Sequence, residues 1–267
     1  MLVDYHTHHR RCGHASGELI DYARAAVRSG LAEIGLSDHS PIYHLGDDPH
    51  ARPGTAMAQG ELPAYLAEMR QVQAEMRDEI TVRLGVESDY VLGWDEHYRT
   101  LWQDAGLDYV IGSVHWLGTW SIFEPALPPG RSAAQVYDEY LRTVQAAARS
   151  GAYDIIGHLD GLKTRGHLPE LSLTPQLEET LRVLKSADVT IELNTSGWRK
   201  GLGEPYPGPE WLARCCAHGV PVTFGSDAHR PEDVAADFPR AVALLRQLGY
   251  THFARFEGRR RSLVPLP

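Results

Sequence analysis

The chain has 267 residues, 43% of them hydrophobic and 23% charged, with a formal net charge of -9 at pH 7. That length suits one barrel-sized domain over residues 1–267, and the acidic balance gives no electrostatic encouragement to bind nucleic acid or an anionic membrane. No apolar run approaches the ~20 residues that span a bilayer, the start lacks a basic segment followed by an apolar stretch, and Cys12, Cys215 and Cys216 make no disulfide framework, so a cytoplasmic protein is expected.

In chain order, seven short apolar runs each end at or just before a residue that can hold a metal. Leu2-Val3 lead into Asp4-Tyr5-His6-Thr7-His8, and Ile34-Gly35-Leu36 into Ser37-Asp38-His39. Val82 to Val86 lead into Glu87, Tyr109 to Val114 into His115, and Tyr153 to Gly157 into His158. Val189 to Leu193 lead into Asn194, and Val222 to Ser226 into Asp227-Ala228-His229. Between these runs the apolar residues recur at helical spacing, as in Leu19, Tyr22, Ala23, Ala26 and Val27, or Val136, Tyr137, Tyr140, Leu141 and Val144. Pro231 is placed to open a helix, where its missing N–H costs nothing. Alternating strand and helix predicts an α/β fold with parallel strands and crossover helices. A parallel barrel of this kind brings all its strand ends to one face, where active sites lie. Imidazoles and carboxylates there are ligands for zinc, iron or manganese.

Four Gly- and Pro-rich segments follow strands: Pro41 to Pro63, Trp116 to Arg131, Lys163 to Pro175 and Gly197 to Pro209. In a barrel all four rise on the ligand-bearing face. His6 and His8 are two apart, so in an extended strand both imidazoles point to one side. Cys12-Gly13-His14 follows on the loop.

The ordered set Asp4-Tyr5-His6-Thr7-His8, Cys12-Gly13-His14, Ser37-Asp38-His39-Ser40-Pro41, Gly85-Val86-Glu87, Gly112-Ser113-Val114-His115, Gly157-His158 and Gly225-Ser226-Asp227-Ala228-His229 resembles the polymerase-and-histidinol-phosphatase (PHP) family. The resemblance implies a distorted seven-stranded (β/α)7 TIM-like barrel with a trinuclear transition-metal centre. Position by position, it implies that His6, His8, Glu87 and Asp227 hold one metal. Glu87 bridges to a second, completed by His115 and His158, and His14, His39 and His229 hold a third. Asp4 and Asp38 are candidates to orient the ligand imidazoles, which need a partner on their free ring nitrogen; Asp38 is alternatively a catalytic proton donor. Paired cations suit phosphate-ester hydrolysis, because they bind phosphate oxygens and lower the pKa of an attacking water.

Glu192-Leu193-Asn194-Thr195-Ser196-Gly197-Trp198-Arg199-Lys200 and Tyr206-Pro207 resemble the monofunctional histidinol-phosphatase branch. That resemblance implies L-histidinol phosphate as the small-molecule substrate, within histidine biosynthesis. A nuclease or phosphodiesterase, a protein-tyrosine phosphatase and a non-catalytic metal-binding module are the alternatives. Arg199 suits the phosphate, being a planar fork that pairs with oxyanions; the alternative is an exposed loop cation. Lys163 and Arg165 are candidates for the same role, against simple solvation. Trp116, Trp120 and Trp198 are candidates to wall the imidazole, against ordinary packing, and Glu124, Asp160 or Glu204 to meet the ammonium. His9, His44, His50 and His167 are expected at the surface or behind the ligands. Cys12 is expected as a packed thiol, and Cys215, Cys216 and His218 as packing residues on a helix away from the strand ends. The run Arg259-Arg260-Arg261 is expected to be solvated.

Overall fold

The computed structural model describes residues 2–46, 52–166 and 174–267; His50 and His167 lie outside them. The first three strands, β1 (Val3–Asp4), β2 (Glu33–Leu36) and β3 (Thr81–Leu84), form a parallel sheet in that order. A second parallel sheet contains β4 (Glu87–Asp89), β5 (Ile111–Ser113), β8 (Ile155–Ile156), β9 (Thr190–Asn194) and β10 (Val222–Gly225), ordered β10-β9-β8-β5-β4. The strands β3 and β4 are two halves of one predicted run, broken at Gly85-Val86. The two sheets meet at single parallel bridges, Thr7 with Ala228 and His39 with Glu87. Counting the broken run once, this is the distorted seven-stranded TIM-like barrel.

Tyr109 explains two of the strand glycines. Its hydroxyl donates to the Tyr5 carbonyl at 2.7 Å, inside the barrel. A Cβ at Gly35 would lie 2.0 Å from that hydroxyl, and one at Gly85 would lie 2.3 Å from the ring. Neither contact is physically possible without movement of the core, which is close-packed.

The helices α1 (Leu19–Arg28), α2 (Leu62–Glu75) and α4 (Ala133–Arg149) pack on β2, β3 and β8. Ser132 starts α4 by a capping box: its hydroxyl accepts from the Gln135 N–H at 3.3 Å, and its own N–H donates to Gln135 Oε1 at 2.8 Å. The helix buries Val136, Tyr140, Leu141 and Val144, the face expected from their spacing. Truncating one such side chain, for example Leu141→Ala, removes about 2–5 kcal/mol of stability. The circuit is completed by α5 (Thr174–Ser186), α6 (Ser196–Arg199), α7 (Pro209–Ala217) and α8 (Phe238–Gln247).

Three features depart from the sequence reading. An additional helix, α3 (Asp95–Gln103), buries Tyr98 and Trp102. Pro231 opens only a 3₁₀ turn, Pro231–Asp233, and α8 begins at Phe238. Two antiparallel hairpins join the parallel strands: β6 (Trp116–Leu117) with β7 (Trp120–Ser121), and β11 (His252–Glu257) with β12 (Arg260–Pro265). The second hairpin is fixed by polar contacts, with Phe256 N–H donating to Tyr5 Oη at 3.1 Å and Arg255 pairing with buried Glu33. In the basic run, Arg259 pairs with Asp154 and Arg261 with Asp188 at 2.5 Å. Those two cations are tied to the fold rather than free.

Candidate metal centre

Glu87 begins β4 just past the break, fully inside the barrel. Its Oε1 lies 3.1 Å from His158 Nε2 and 3.5 Å from His115 Nε2, and accepts from Ser113 Oγ at 2.6 Å. Its Oε2 lies 2.7 Å from His39 Nδ1, 3.4 Å from His6 Nε2 and 3.6 Å from His8 Nε2. Five imidazoles, drawn from four strand ends, therefore converge on one carboxylate. Asp227, after β10, has φ 53°, a left-handed conformation that aspartate tolerates better than most residues. Its Oδ1 faces His8 Nε2 at 3.2 Å, while its Oδ2 accepts from Ser196 Oγ at 2.9 Å and Lys200 Nζ at 2.9 Å. His14 and His229 lie beside each other, with ring centroids 4.8 Å apart.

The ligating atoms of His6, His8 and Glu87 lie within 4.8 Å of one another, as do those of His39, Glu87 and His115, and of His8, His39 and His229. His6 Nε2 and His8 Nε2 are buried without a hydrogen-bond partner and face the same oxygen of Glu87. Buried polar atoms are normally satisfied, and a cation would satisfy these. The donor set therefore fits divalent metal ions.

Three of the inner imidazoles are held from behind. Glu192 Oε2 lies 2.7 Å from His6 Nδ1, and Asp89 Oδ1 lies 2.7 Å from His115 Nδ1. Asp38 sits between His8 Nδ1 at 3.4 Å and His9 Nδ1 at 2.6 Å. Burial pushes the Asp38 carboxyl up, but the His8 and His9 imidazoles beside it outweigh that and hold the pKa well down. Asp38 is wholly buried and absent from the cavity lining, a placement that favours orientation of His8 over proton donation. Asp4 holds backbone instead of a ring: its carboxylate accepts from the N–H groups of Ser226 at 2.8 Å and Ala235 at 3.0 Å, tying β1 to the residues after β10.

The charge balance suits cation binding. Burial pushes the Glu87 carboxyl up, yet His39, His6 and His115 hold it well below the ordinary range. Burial takes His14 down to about 4 and His229 down to about 2, so both present neutral lone pairs near pH 7. Cys12 is buried, its Sγ 3.1 Å from the His9 carbonyl, and burial raises its pKa; it stays a packed thiol.

The centre opens into a cavity of about 720 Å³, to which all four Gly- and Pro-rich segments contribute. Arg165, Arg199, Lys200 and Arg230 line it, with Lys200 Nζ 2.9 Å from Asp227 Oδ2 and Arg230 paired to Asp233 at 3.2 Å. Arg199 donates to the Ser226 carbonyl and to Thr195 Oγ1 at 3.3 Å, so part of its fork is already engaged. Lys163 is buried against Asp160 and Glu204, each at 2.8 Å, and does not line the cavity. Trp116 lines it, whereas Trp198 lies outside the lining, under the guanidinium of Arg240 at 4.2 Å. Glu124, Asp160 and Glu204 are likewise absent from the lining; Asp89 and Asp233 are the carboxylates present there beyond Glu87 and Asp227. Sequence reasoning missed Glu192, Asp89 and Lys200. Two of these carry a signal in the sequence, since Asp89 is two residues from Glu87 on one strand, and Glu192 belongs to an apolar run that should not carry a charge unpaired.

A parallel TIM-like barrel with imidazoles and carboxylates gathered at its strand ends defines a class of barrel hydrolases. Within it, the chain belongs to the PHP domain family, whose profile matches residues 4–196. It is 38% identical over 254 residues to a probable histidinol-phosphatase of Deinococcus radiodurans, covering 93% of this chain and 94% of that one. It is 28% identical over 253 residues to the histidinol-phosphatase of Bacillus subtilis, covering 86% of this chain and 94% of that one. Among solved structures, the Lactococcus lactis histidinol phosphate phosphatase, complexed with zinc, L-histidinol and phosphate, superposes with a TM-score of 0.82. That match has 24% identity and covers 98% of each chain, and it supports the fold.

Proposed function

We propose that the chain is a histidinol-phosphatase, hydrolysing L-histidinol phosphate to L-histidinol and phosphate within histidine biosynthesis. The observation that carries this reading is one cavity holding both the Glu87-centred histidine cluster and the side chains of Arg165, Arg199 and Lys200. The 38% identity along almost the whole length of the Deinococcus radiodurans relative supports the substrate. His6, His8, Glu87 and Asp227 would hold one metal, Glu87, His115 and His158 a second, and His14, His39 and His229 a third. Zinc in the Lactococcus lactis neighbour supports zinc here, although such ligand sets also take iron and manganese. Cations held there would place positive charge against the phosphoryl oxygens and lower the pKa of an attacking water.

The chain's own residues do the rest. Arg199, Lys200 and Arg165 present donors to the phosphate from the cavity wall. Glu192 and Asp89 fix the rings of His6 and His115, and Asp38 faces that of His8 at 3.4 Å. The donors on Asp227 Oδ2 leave Oδ1 turned toward the imidazoles.

Arg199→Ala should lower kcat/KM for phosphomonoesters about tenfold and leave metal content unchanged. The loss is placed low in the range for a charge-assisted contact because Arg199 already spends donors on Ser226 and Thr195. Wild-type kinetics would return Arg199 to a loop-stapling role. The function itself is tested by a substrate panel. L-histidinol phosphate should exceed aryl phosphates, phosphotyrosine peptides and nucleotide diesters by about a hundredfold in kcat/KM, because groups remote from the ester align it. Equal efficiency on phosphotyrosine peptides, or greater efficiency on a diester, would overturn the assignment.

A further inference from the structure

Among the described residues, one of the phenyl, indole and phenol rings lining the cavity stays substantially open to water. Trp116 is committed: it is 5% exposed, packs with Ile42, Ala56 and Val91, carries the Arg52 guanidinium 5.4 Å from its ring, and meets His44 edge-on. Tyr206 is committed as well, being 2% exposed, with its hydroxyl 2.8 Å from Thr164 Oγ1 and Lys163 Nζ 4.9 Å from its ring. Phe123 differs. It lines the cavity, yet 40% of its surface is exposed, and it is one of three exposed large hydrophobic residues among those described.

Exposure alone says little, since single apolar residues on a surface are ordinary. Two further observations give Phe123 a direction. Its ring lies against the metal centre, 5.4 Å from the His115 ring. Its backbone is fixed rather than loose: Ile122 N–H donates to the His115 carbonyl at 2.9 Å, Phe123 N–H to Ser121 Oγ at 3.3 Å, and Arg165 Nε to the Phe123 carbonyl at 2.9 Å. The last bond joins the residues after β7 to the turn after β8, so two walls of the cavity hold the backbone at Phe123 in place. A phenyl group kept partly in water on a fixed backbone gains when a flat aromatic partner stacks on it.

We infer that Phe123 is a specificity-determining residue, the platform on which the imidazole of the substrate stacks while the ester faces the histidine cluster. This rests on the histidinol-phosphatase reading. Arg165 acts as a positioning residue, because it grips the carbonyl of Phe123 as well as lining the cavity. An imidazole has the planar face that such a platform recognises, and a ringless amino-alcohol phosphate does not.

The test compares L-histidinol phosphate with ethanolamine phosphate, which shares the ester and the ammonium but lacks the ring, on metal-loaded enzyme of measured metal content. In the wild type the efficiency ratio favours L-histidinol phosphate. Phe123→Ala and Phe123→Leu should reduce that ratio about fivefold to tenfold, through KM rather than kcat, and Phe123→Tyr should restore it. The leucine variant keeps apolar bulk without an aromatic face, so it separates stacking from simple filling. An unchanged ratio, whether both efficiencies fall together or neither moves, would overturn the inference while leaving the histidinol-phosphatase reading standing. A wild-type enzyme with no preference for the ring-bearing ester would overturn both.

Discussion

Glu87→Gln is expected to lower kcat about a hundredfold to a thousandfold and to reduce the metal bound per chain. The substitution preserves size and shape and changes only charge and donor pattern. Five imidazoles face this carboxylate, three at Oε2 and two at Oε1. An amide has one acceptor oxygen instead of two and no charge to set against cations. Whichever way the new side-chain amide is turned, its hydrogens point at ring nitrogens or at the space a cation would take. Replacing His14 or Arg199 removes one contact at the edge of the site, whereas replacing Glu87 disturbs the group shared by most of it. Elemental analysis and single-turnover kinetics on the same preparation check this. A Glu87→Gln enzyme with full metal content and near-normal turnover would show that the carboxylate is not shared between ions.

The legibility of this site in the sequence follows from where its chemistry sits. His6 and His8 could be read because one strand places both on one side, and each remaining inner residue closes an apolar run at a strand end. Local pattern therefore located the histidine cluster. The groups behind the rings were harder to read, because their role depends on pairing across the barrel. Asp38 turns to His8 from the end of the neighbouring strand, and it also engages His9, which is wholly buried behind the ligands. Asp4 is adjacent to a ligand in sequence, which suggests a ring as its partner, yet in space it faces the N–H groups after β10. The aromatic residues divide the same way. Trp116 and Trp198 both follow strands, but only geometry shows that one lines the cavity and the other lies beneath Arg240. The β11–β12 hairpin is hidden in the sequence because its alternating pattern lies next to a conspicuous arginine run. Two of those arginines are in fact partners of Asp154 and Asp188.

Glu192→Ala is expected to weaken metal binding and activity toward the upper part of the ~10–100-fold range found for residues that orient metal ligands. Glu192 Oε2 meets His6 Nδ1, while Oε1 accepts from the His158 backbone N–H at 2.6 Å and from Asn194 Nδ2 at 3.0 Å. Asn194 in turn reaches Asp227 Oδ2 at 3.3 Å. A single carboxylate on β9 thus sets the ring of His6, the backbone at His158 and, through Asn194, the side chain of Asp227. The fold makes room for it, since a Cβ at Gly225 would lie 2.5 Å from Glu192 Oε2. Burial raises the Glu192 carboxyl, but His6 beside it brings the pKa below the ordinary value, so the group is held as an anion. Alanine would leave the His158 N–H and the His6 Nδ1 without partners in a dry interior, which adds a folding cost to the loss of orientation. Glu192→Gln separates the two effects. Its amide oxygen can still accept from the His158 N–H, so stability should recover, while His6 loses its anionic partner and metal affinity should stay low. Thermal unfolding in the presence of a chelator and metal titration of both variants make the comparison. Recovery of metal affinity to the wild-type value in Glu192→Gln would show that the charge on Glu192 does not orient His6, and that its contribution is to packing alone.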